Sequence, residues 1–437
     1  MKKVPLFIER FYDFINKEEG QRICKDITEE ACQFTPYNYF IILISNTLTK
    51  LGDTLSNPKT VIAWIMSVID VPVSLISFVV PIRESGSMLP QIVITSFIRT
   101  KKIRKWIWIA GSVLQFISIG LIGLIGMKLE GLIAGWLIIL CLILFSLSRA
   151  LCSVASKDVT GKAIPKTRRG KLKGFTVSVS GILTLLAGMY MIDQSQENQG
   201  VLFYTYILFF ASSMWLIAAF VFALIKEFPG TIAEESSDWK DSVKKLSLIK
   251  TDTPFRNFII ARSLLLVSAL SAPFYVLLAQ EYQGKGSKLL GLFIIANGLA
   301  AIISAPFWGK LADQSSRKVM TWGAIIASLL GIFMFFVIVG LPVLRDAYWT
   351  YPIIFFLLGI AHSGVRIGRK TYILDMAKGN KRTDYVAVSN TIIGAILLLA
   401  GGVSALASIF SVEGILLVLS VLGILGAYKS WQLNEVE

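Results

Sequence analysis

"RRGKLKGFTVSVSGILTLLAG" (Arg168–Gly188) and "KRTDYVAVSNTIIGAILLLAG" (Lys381–Gly401) fall on one another under a shift of 213 residues. The same shift lays Ser96, Thr100, Arg104 and Lys105 on Gly309, Asp313, Arg317 and Lys318. Agreement at one place is easy to obtain by chance. One offset that serves the connections after four different apolar runs points instead to an internal repeat, in which each half of the chain is one structural copy.

The rest of the sequence fixes what kind of copy this is. Of 437 residues, 54% are hydrophobic and 16% charged, against about 25% charged in a soluble domain, and the mean hydropathy is +0.67. A transmembrane helix needs about 20 apolar residues. Twelve candidate spans lie near 38–66, 71–98, 105–127, 132–156, 174–193, 201–226, 257–281, 287–309, 319–341, 347–369, 384–409 and 411–431. Their continuous apolar character excludes the alternation of a membrane β-barrel. The expected fold is an all-α polytopic membrane protein, with twelve transmembrane helices in two pseudo-symmetric six-helix bundles. Residues 1–35 form an N-terminal segment, 36–226 the first bundle, 227–256 a central loop, 257–431 the second bundle and 432–437 a tail.

The formal charge of +15 is clustered between alternate spans, which argues against nucleic acid as its target. "RTKKIRK" (Arg99–Lys105) follows the second span and "KAIPKTRRGKLK" (Lys162–Lys173) the fourth. Lys310, Arg317 and Lys318 follow the eighth; Lys370, Lys378, Lys381 and Arg382 follow the tenth. The positive-inside rule assigns these connections, the central loop and both termini to the cytoplasm, with a bacterial cytoplasmic membrane as the setting. Residues 1–35 are read without a signal peptide, because Glu9, Arg10 and Asp13 interrupt the early apolar run. Phe7, Phe11, Phe14 and Ile15 recur at helical spacing there, as in an amphipathic helix against membrane lipids. Cys24, Cys32, Cys141 and Cys152 lack metal-ligand spacing and imply neither a zinc site nor a disulfide framework.

Charges inside the spans mark the candidate site, because a charge at membrane depth costs roughly 2.5–3.5 kcal/mol on insertion scales and survives where it faces protein or a water-filled cavity. On the first span Asn46, Lys50, Asp53 and Asn57 share one helix face, where Lys50 and Asp53 can pair. On the second, "VVPIRESGSMLPQIV" (Val79–Val93) carries Arg83 and Glu84, which point about 100° apart. Each must find compensation from another helix, water or a ligand, and Pro81 and Pro90 bracket a Ser-Gly-Ser segment that loosens the helix between them. On the tenth, His362, the only histidine, shares a face with Arg366 and Arg369, and the repeat lays His362 on Arg149 of the fourth span. Lys50, Arg83, Arg149 and Arg366 are expected to bind substrate; Asp53, Glu84 and His362 are expected to carry coupling protons. Basic groups outnumber acidic ones, which favours an anionic or zwitterionic solute.

"GKLADQSSRK" (Gly309–Lys318), between the eighth and ninth spans, resembles the loop signature of the major facilitator superfamily, and "RALCSVAS" (Arg149–Ser156) is similar to that family's arginine-led motif in the fourth span. "KLGD" (Lys50–Asp53) is similar to its first-span sequence. The first-half copy of the loop signature departs from the pattern, with Ser96 and Thr100 where glycine and aspartate are usual. The fifth span lacks the antiporter motif, and no sugar-porter signature follows the sixth. The resemblance covers roughly 38–431 and implies a secondary transporter working by alternating access, with the substrate between two halves near the midplane. It implies a latch in which Gly309 lets helices approach, Asp313 accepts from a neighbouring helix end, and Arg317 and Lys318 sit at the headgroups. A monomer needing no cofactor, with a small-molecule substrate and protons as coupling ion, is the expectation. No Gly-Lys-Ser/Thr phosphate loop points to ATP, and no catalytic constellation points to an enzyme. An exporter or flippase of lipid-like molecules is the alternative within transport; a transport-inactive receptor or scaffold is the alternative outside it.

Overall fold

The computed structural model describes residues 5–16, 27–194, 200–229, 245–376, 381–407 and 411–436. Of the residues singled out above, Cys24 and Lys378 lie outside that set. Among the described residues nine helices are long and apolar enough to cross a membrane. One of them, Ser287–Gly340, holds both the eighth and ninth spans, separated by an extended residue at Ser315. The first two spans are not among the nine: the second is split into short helices, and the first helix, Thr35–Leu55, is long enough but carries polar residues such as Asn38, Asn46, Lys50 and Asp53; with these two the described residues hold twelve.

The breaks have local causes. In the first span Thr35–Leu55 ends before Asn57, whose side chain accepts from the Lys59 backbone N–H at 2.8 Å. A π-helical turn, Pro58–Ile62, then leads into Ala63–Val68. Pro58 has no N–H to give and cannot continue the preceding ladder. The second span runs as Val73–Ile76, Val79–Met88 and Gln91–Arg99. Pro90 separates the last two, whereas the Ser-Gly-Ser segment remains helical. The seventh span is interrupted as well, between Thr253–Leu264, Val267–Leu270 and Ala272–Gln283, close to one repeat length from the first-span break. Irregular backbone at membrane depth is tolerated where it is covered by protein or lines a cavity.

The two bundles meet along three lines. Near the face opposite the basic loops, the first span packs on the seventh: Gln280 Nε2 donates to the Trp64 carbonyl at 3.3 Å, and Lys285 Nζ bridges to Asp70 at 3.3 Å. Buried Trp64, 6.3 Å from Tyr204 and 6.5 Å from Phe293, fills the space beneath them. The fifth span lies against the eighth, where a Cβ added at Gly188 would stand 2.6 Å from Ile295 and 3.2 Å from the Gly291 carbonyl. The second span lies against the eleventh through Pro81 and Leu89, and Asn390 Nδ2 donates to Gln91 Oε1 at 3.2 Å. No extensive packing joins the fourth span to the tenth. Between these walls lie the charged side chains of the spans, covered at the face where the first and seventh spans meet. Large apolar side chains such as Trp136, Leu140 and Phe220 are exposed on the outer helix surfaces, as a lipid-facing perimeter requires.

The N-terminal helix, Leu6–Asn16, lies on the basic face. Tyr12 is buried edge-on against Tyr39 at 5.2 Å, and Phe11 stacks on Phe40 at 5.4 Å, while Phe7 and Phe14 are exposed. Cys32 is disulfide-bonded, against the expectation of no disulfide. Sequence spacing alone does not report whether two thiols approach each other.

A charged cleft between the bundles

Asp53 lies between two arginines. Its Oδ2 pairs with Arg149 of the fourth span, and its Oδ1 stands 3.5 Å from Arg83 of the second. At that distance the second contact is electrostatic rather than a hydrogen bond, and buried Oδ1 accepts no hydrogen bond. The Arg83 guanidinium also stacks on Phe145, 4.8 Å from the ring centroid, which fixes its direction. The three side chains are 19%, 13% and 32% exposed, for Asp53, Arg83 and Arg149, so the cluster is partly hydrated. Lys50 and Asp53, which can pair along one helix face, form no ion pair with each other. One turn away on its own helix Lys50 lies within electrostatic reach of both Asp53 and Arg366. Two arginines from other helices, one at each Asp53 oxygen, win over one lysine on the same helix.

The second cluster is built around His362. Lys59 Nζ, on the π-helical turn, is 3.1 Å from His362 Nε2, and Ser268 Oγ of the seventh span is 3.1 Å from Nδ1. An ammonium only donates, so Nε2 accepts from Lys59 and Nδ1–H donates to Ser268. The Ser268 hydroxyl donates in turn to the Leu265 carbonyl at 3.2 Å. The chain of donors is complete, runs in one direction, and joins the first half to the second. Glu84 lies within electrostatic reach of Lys59, Arg83, Arg366 and Arg369, so its charge is answered by three helices. Arg83 and Glu84, adjacent in sequence, take different principal partners, as their angular separation demands.

Among the expected site residues, then, Asp53, Arg83 and Arg149 come together in one group, and Glu84, His362, Lys50 and Arg366 with Arg369 in a second beside it. Sequence reasoning passed over Lys59, Ser268 and Arg262. Arg262 is buried in the seventh span and donates to Ser389 and, at 2.9 Å, to Asn390 Oδ1, the residue that bonds Gln91 of the other bundle. Lys59 and Arg262 carried a legible signal, a basic residue inside an apolar run. Ser268 carried none. A separate cavity of about 650 Å³ on the basic face is lined by Leu248, Asp252, Pro254 and Tyr385 and by none of these charges.

The four latch residues do not act together here. A Cβ at Gly309 would meet nothing within 4 Å, so the expected close approach of helices is not made. Asp313 is exposed and forms no ion pair among the described residues. Arg317 was expected at the headgroups, but it donates to the Trp431 and Leu433 carbonyls at 3.1 and 2.9 Å and pairs with Glu435, capping the twelfth span. Lys318 is exposed. In the first half, Arg104 pairs with Asp158, and Lys105 Nζ donates to the Ala223 and Ile225 carbonyls at 2.8 Å, capping the sixth span. Unpaired carbonyls at a helix C-terminus attract cations, which explains both placements.

A family model described as Major Facilitator Superfamily matches residues 37–344 and 266–433. Solved structures similar to this chain include a D-xylose-proton symporter (14% identity, TM-score 0.68, covering 91% of this chain and 98% of that one). The nucleoside transporter NupG is similar at 11% identity and TM-score 0.62, covering 90% and 98%. A POT family transporter in complex with 5-aminolevulinic acid is similar at 10% identity and TM-score 0.67, covering 90% and 95%. At these identities the likeness is one of fold. No curated protein matches by sequence. With the family matched along almost its whole length and the solute cleft lying between two repeated bundles, the chain belongs to the Major Facilitator Superfamily and is a non-enzymatic secondary transporter of the membrane.

Proposed function

We propose that the chain moves a small anionic or zwitterionic solute by alternating access, coupled to protons, as a monomer in a bacterial cytoplasmic membrane with its basic face in the cytoplasm. The observation that carries this reading is the charge of the cleft. Lys50, Lys59, Arg83, Arg149, Arg366 and Arg369 surround only two carboxylates, Asp53 and Glu84. A water-filled, low-dielectric cleft lined by one sign of charge concentrates the opposite sign. The walls between the second and eleventh and the fifth and eighth spans are packed, so the cleft gives onto water rather than lipid. That favours a soluble solute over a lipid-like one.

Proton coupling has three candidate seats, each with a mechanical consequence. Asp53 Oδ1 has room for a proton, and protonation there would loosen the hold on Arg83 and Arg149. Glu84 sits beside cations from both bundles, and neutralising it would leave them to repel. A proton on His362 Nε2 would set two donors against each other and break the bond to Lys59, which joins the halves. Closure of the basic face would bring Asp313 toward a helix end of the other bundle and engage the latch. A carrier that binds cargo and proton with different affinity in its two states moves one with the other.

The experiment is flux in proteoliposomes under an imposed pH gradient, across a panel of carboxylates, phosphate esters, zwitterions and amines. The expectation is gradient-driven accumulation of an anion or zwitterion, abolished by Glu84→Gln while substrate counterflow survives. Accumulation of amines alone would refute the anionic reading. Wild-type accumulation in Glu84→Gln, Asp53→Asn and His362→Ala together would refute the proton coupling. No flux of any solute would favour the transport-inactive receptor.

A further inference from the structure

The N-terminal helix, Leu6–Asn16, carries two apolar faces, and the first bundle covers only one of them. On that side Ile8 and Ile15 are half-buried, Tyr12 is buried edge-on against Tyr39, and Lys171 of the fifth span donates to the Ile15 carbonyl. Phe7, Phe11 and Phe14 recur at four and three residues on another face, where Phe7 is 77% and Phe14 80% exposed. What lies opposite this face follows from the first span. Phe11 stacks on Phe7 at 6.1 Å and on Phe40 at 5.4 Å, so one row of rings runs from the helix onto the span. Exposed Ile44 continues the row one turn deeper. It is two residues from Asn46, hence about 200° around the helix from the charged cleft face, which puts it on the lipid perimeter. The outward face of the N-terminal helix is therefore continuous with a surface that already meets lipid. Arg10, exposed between Phe7 and Phe14, stands where a side chain can lay its stem on such a surface and keep its charge in water.

We propose that Phe7, Phe11 and Phe14 insert into the bilayer leaflet on the basic face, so that the helix is a wedge between the first span and the lipid headgroups. A helix of this kind lies in the plane of the interface with its apolar face about 5–10 Å into the boundary between headgroups and acyl chains. Left in water, the row of rings would be a contiguous apolar patch of the sort that marks an interaction surface; its continuity with Ile44 makes lipid the occupant. The attraction is apolar rather than electrostatic. The helix carries two carboxylates, Glu9 and Asp13, against one arginine, which gives it no preference for anionic lipid. Held on the protein side by Tyr12 and by Lys171, it ties the basic ends of the first and fifth spans, both of the first bundle, to the leaflet.

The test is the depth of a nitroxide label on the full-length protein in vesicles of phosphatidylethanolamine and phosphatidylglycerol. Depth is read from collisions with oxygen, which concentrates among acyl chains, and with a nickel chelate, which stays in water. With the four native cysteines replaced, single Phe7→Cys and Phe14→Cys variants carry the label. Ile44→Cys is the lipid reference, and Glu30→Cys, exposed ahead of the first span, is the water reference. Both labels are expected about 5–10 Å below the headgroup surface, with oxygen favoured over the chelate as at Ile44. Thermal unfolding of each variant beside the cysteine-free parent shows whether the fold is kept, and the two positions are read independently, so a failure to fold at one leaves the other to decide. Collision ratios equal to that at Glu30 would overturn the proposal, because the face then lies in water. Protection from both reagents would overturn it as well, because a protein surface then covers the face.

Discussion

The repeat lays Arg149 on His362, and the two halves use that position in the same way and to different ends. In each half a side chain of the fourth or tenth span reaches back to the first or seventh: Arg149 to Asp53, His362 to Ser268. The first half makes a charged cluster whose members hold each other. The second makes a neutral hydrogen-bonded chain, which takes its charge from Lys59 of the first. The lesson is a division of labour. One half holds this position by an ion pair to Asp53, and the other by a hydrogen bond to Ser268.

If that comparison is right, the halves should break differently. The largest effect is expected from Asp53→Ala, which leaves Arg83 and Arg149 facing each other without a counter-charge. Stability should fall by about 2–3 kcal/mol, less than for a fully buried pair because the cluster is partly hydrated. Adding Arg149→Ala should restore part of it, and the double-mutant cycle in thermal or denaturant unfolding checks the coupling. Next comes Arg104→Ala, which takes from Asp158 one of its two cations and leaves it Lys162, at about 1.5 kcal/mol. Its repeat counterpart Arg317→Ala should cost only about 1 kcal/mol, because Glu435 is half exposed and an exposed pair contributes little. Equal losses at Arg104 and Arg317 would erase the asymmetry between the halves. Smallest in stability is Ser268→Ala, about 1 kcal/mol, but it frees the His362 tautomer and should change the pH profile of transport. An unchanged profile would remove His362 from the coupling.

Much of this was legible in the sequence, and the exceptions have physical causes. The repeat, the spans and the basic face follow from apolar run length and charge placement, which the bilayer enforces locally. Glu84 and Arg83 could be seen to need separate partners, because helix geometry sets their angle. Their partners could not be named. Lys50 offers Asp53 one possible partner along the same helix, and three-dimensional packing gives it Arg83 and Arg149 instead. Lys59 was hidden by its place beside Pro58, where the motif reads as a helix break; the break is real, and the lysine it redirects is the link between the halves. Gly309 has open space around it and Asp313 is exposed, so the structure brings neither against a neighbouring helix.

The account stands or falls on the electrostatic sign of the cleft and on the face through which it opens. Both can be measured without knowing the cargo. In a variant with the four native cysteines replaced, a single Asn46→Cys on the cleft face of the first span is treated with an anionic sulfonate thiol reagent or its cationic ammonium analogue, added to right-side-out or inside-out vesicles. The account predicts that the anionic reagent reacts about tenfold or more faster than the cationic one, that high salt narrows the gap, and that reaction is fast only from the basic face. Faster reaction with the cationic reagent, or equal access from both faces, would contradict it.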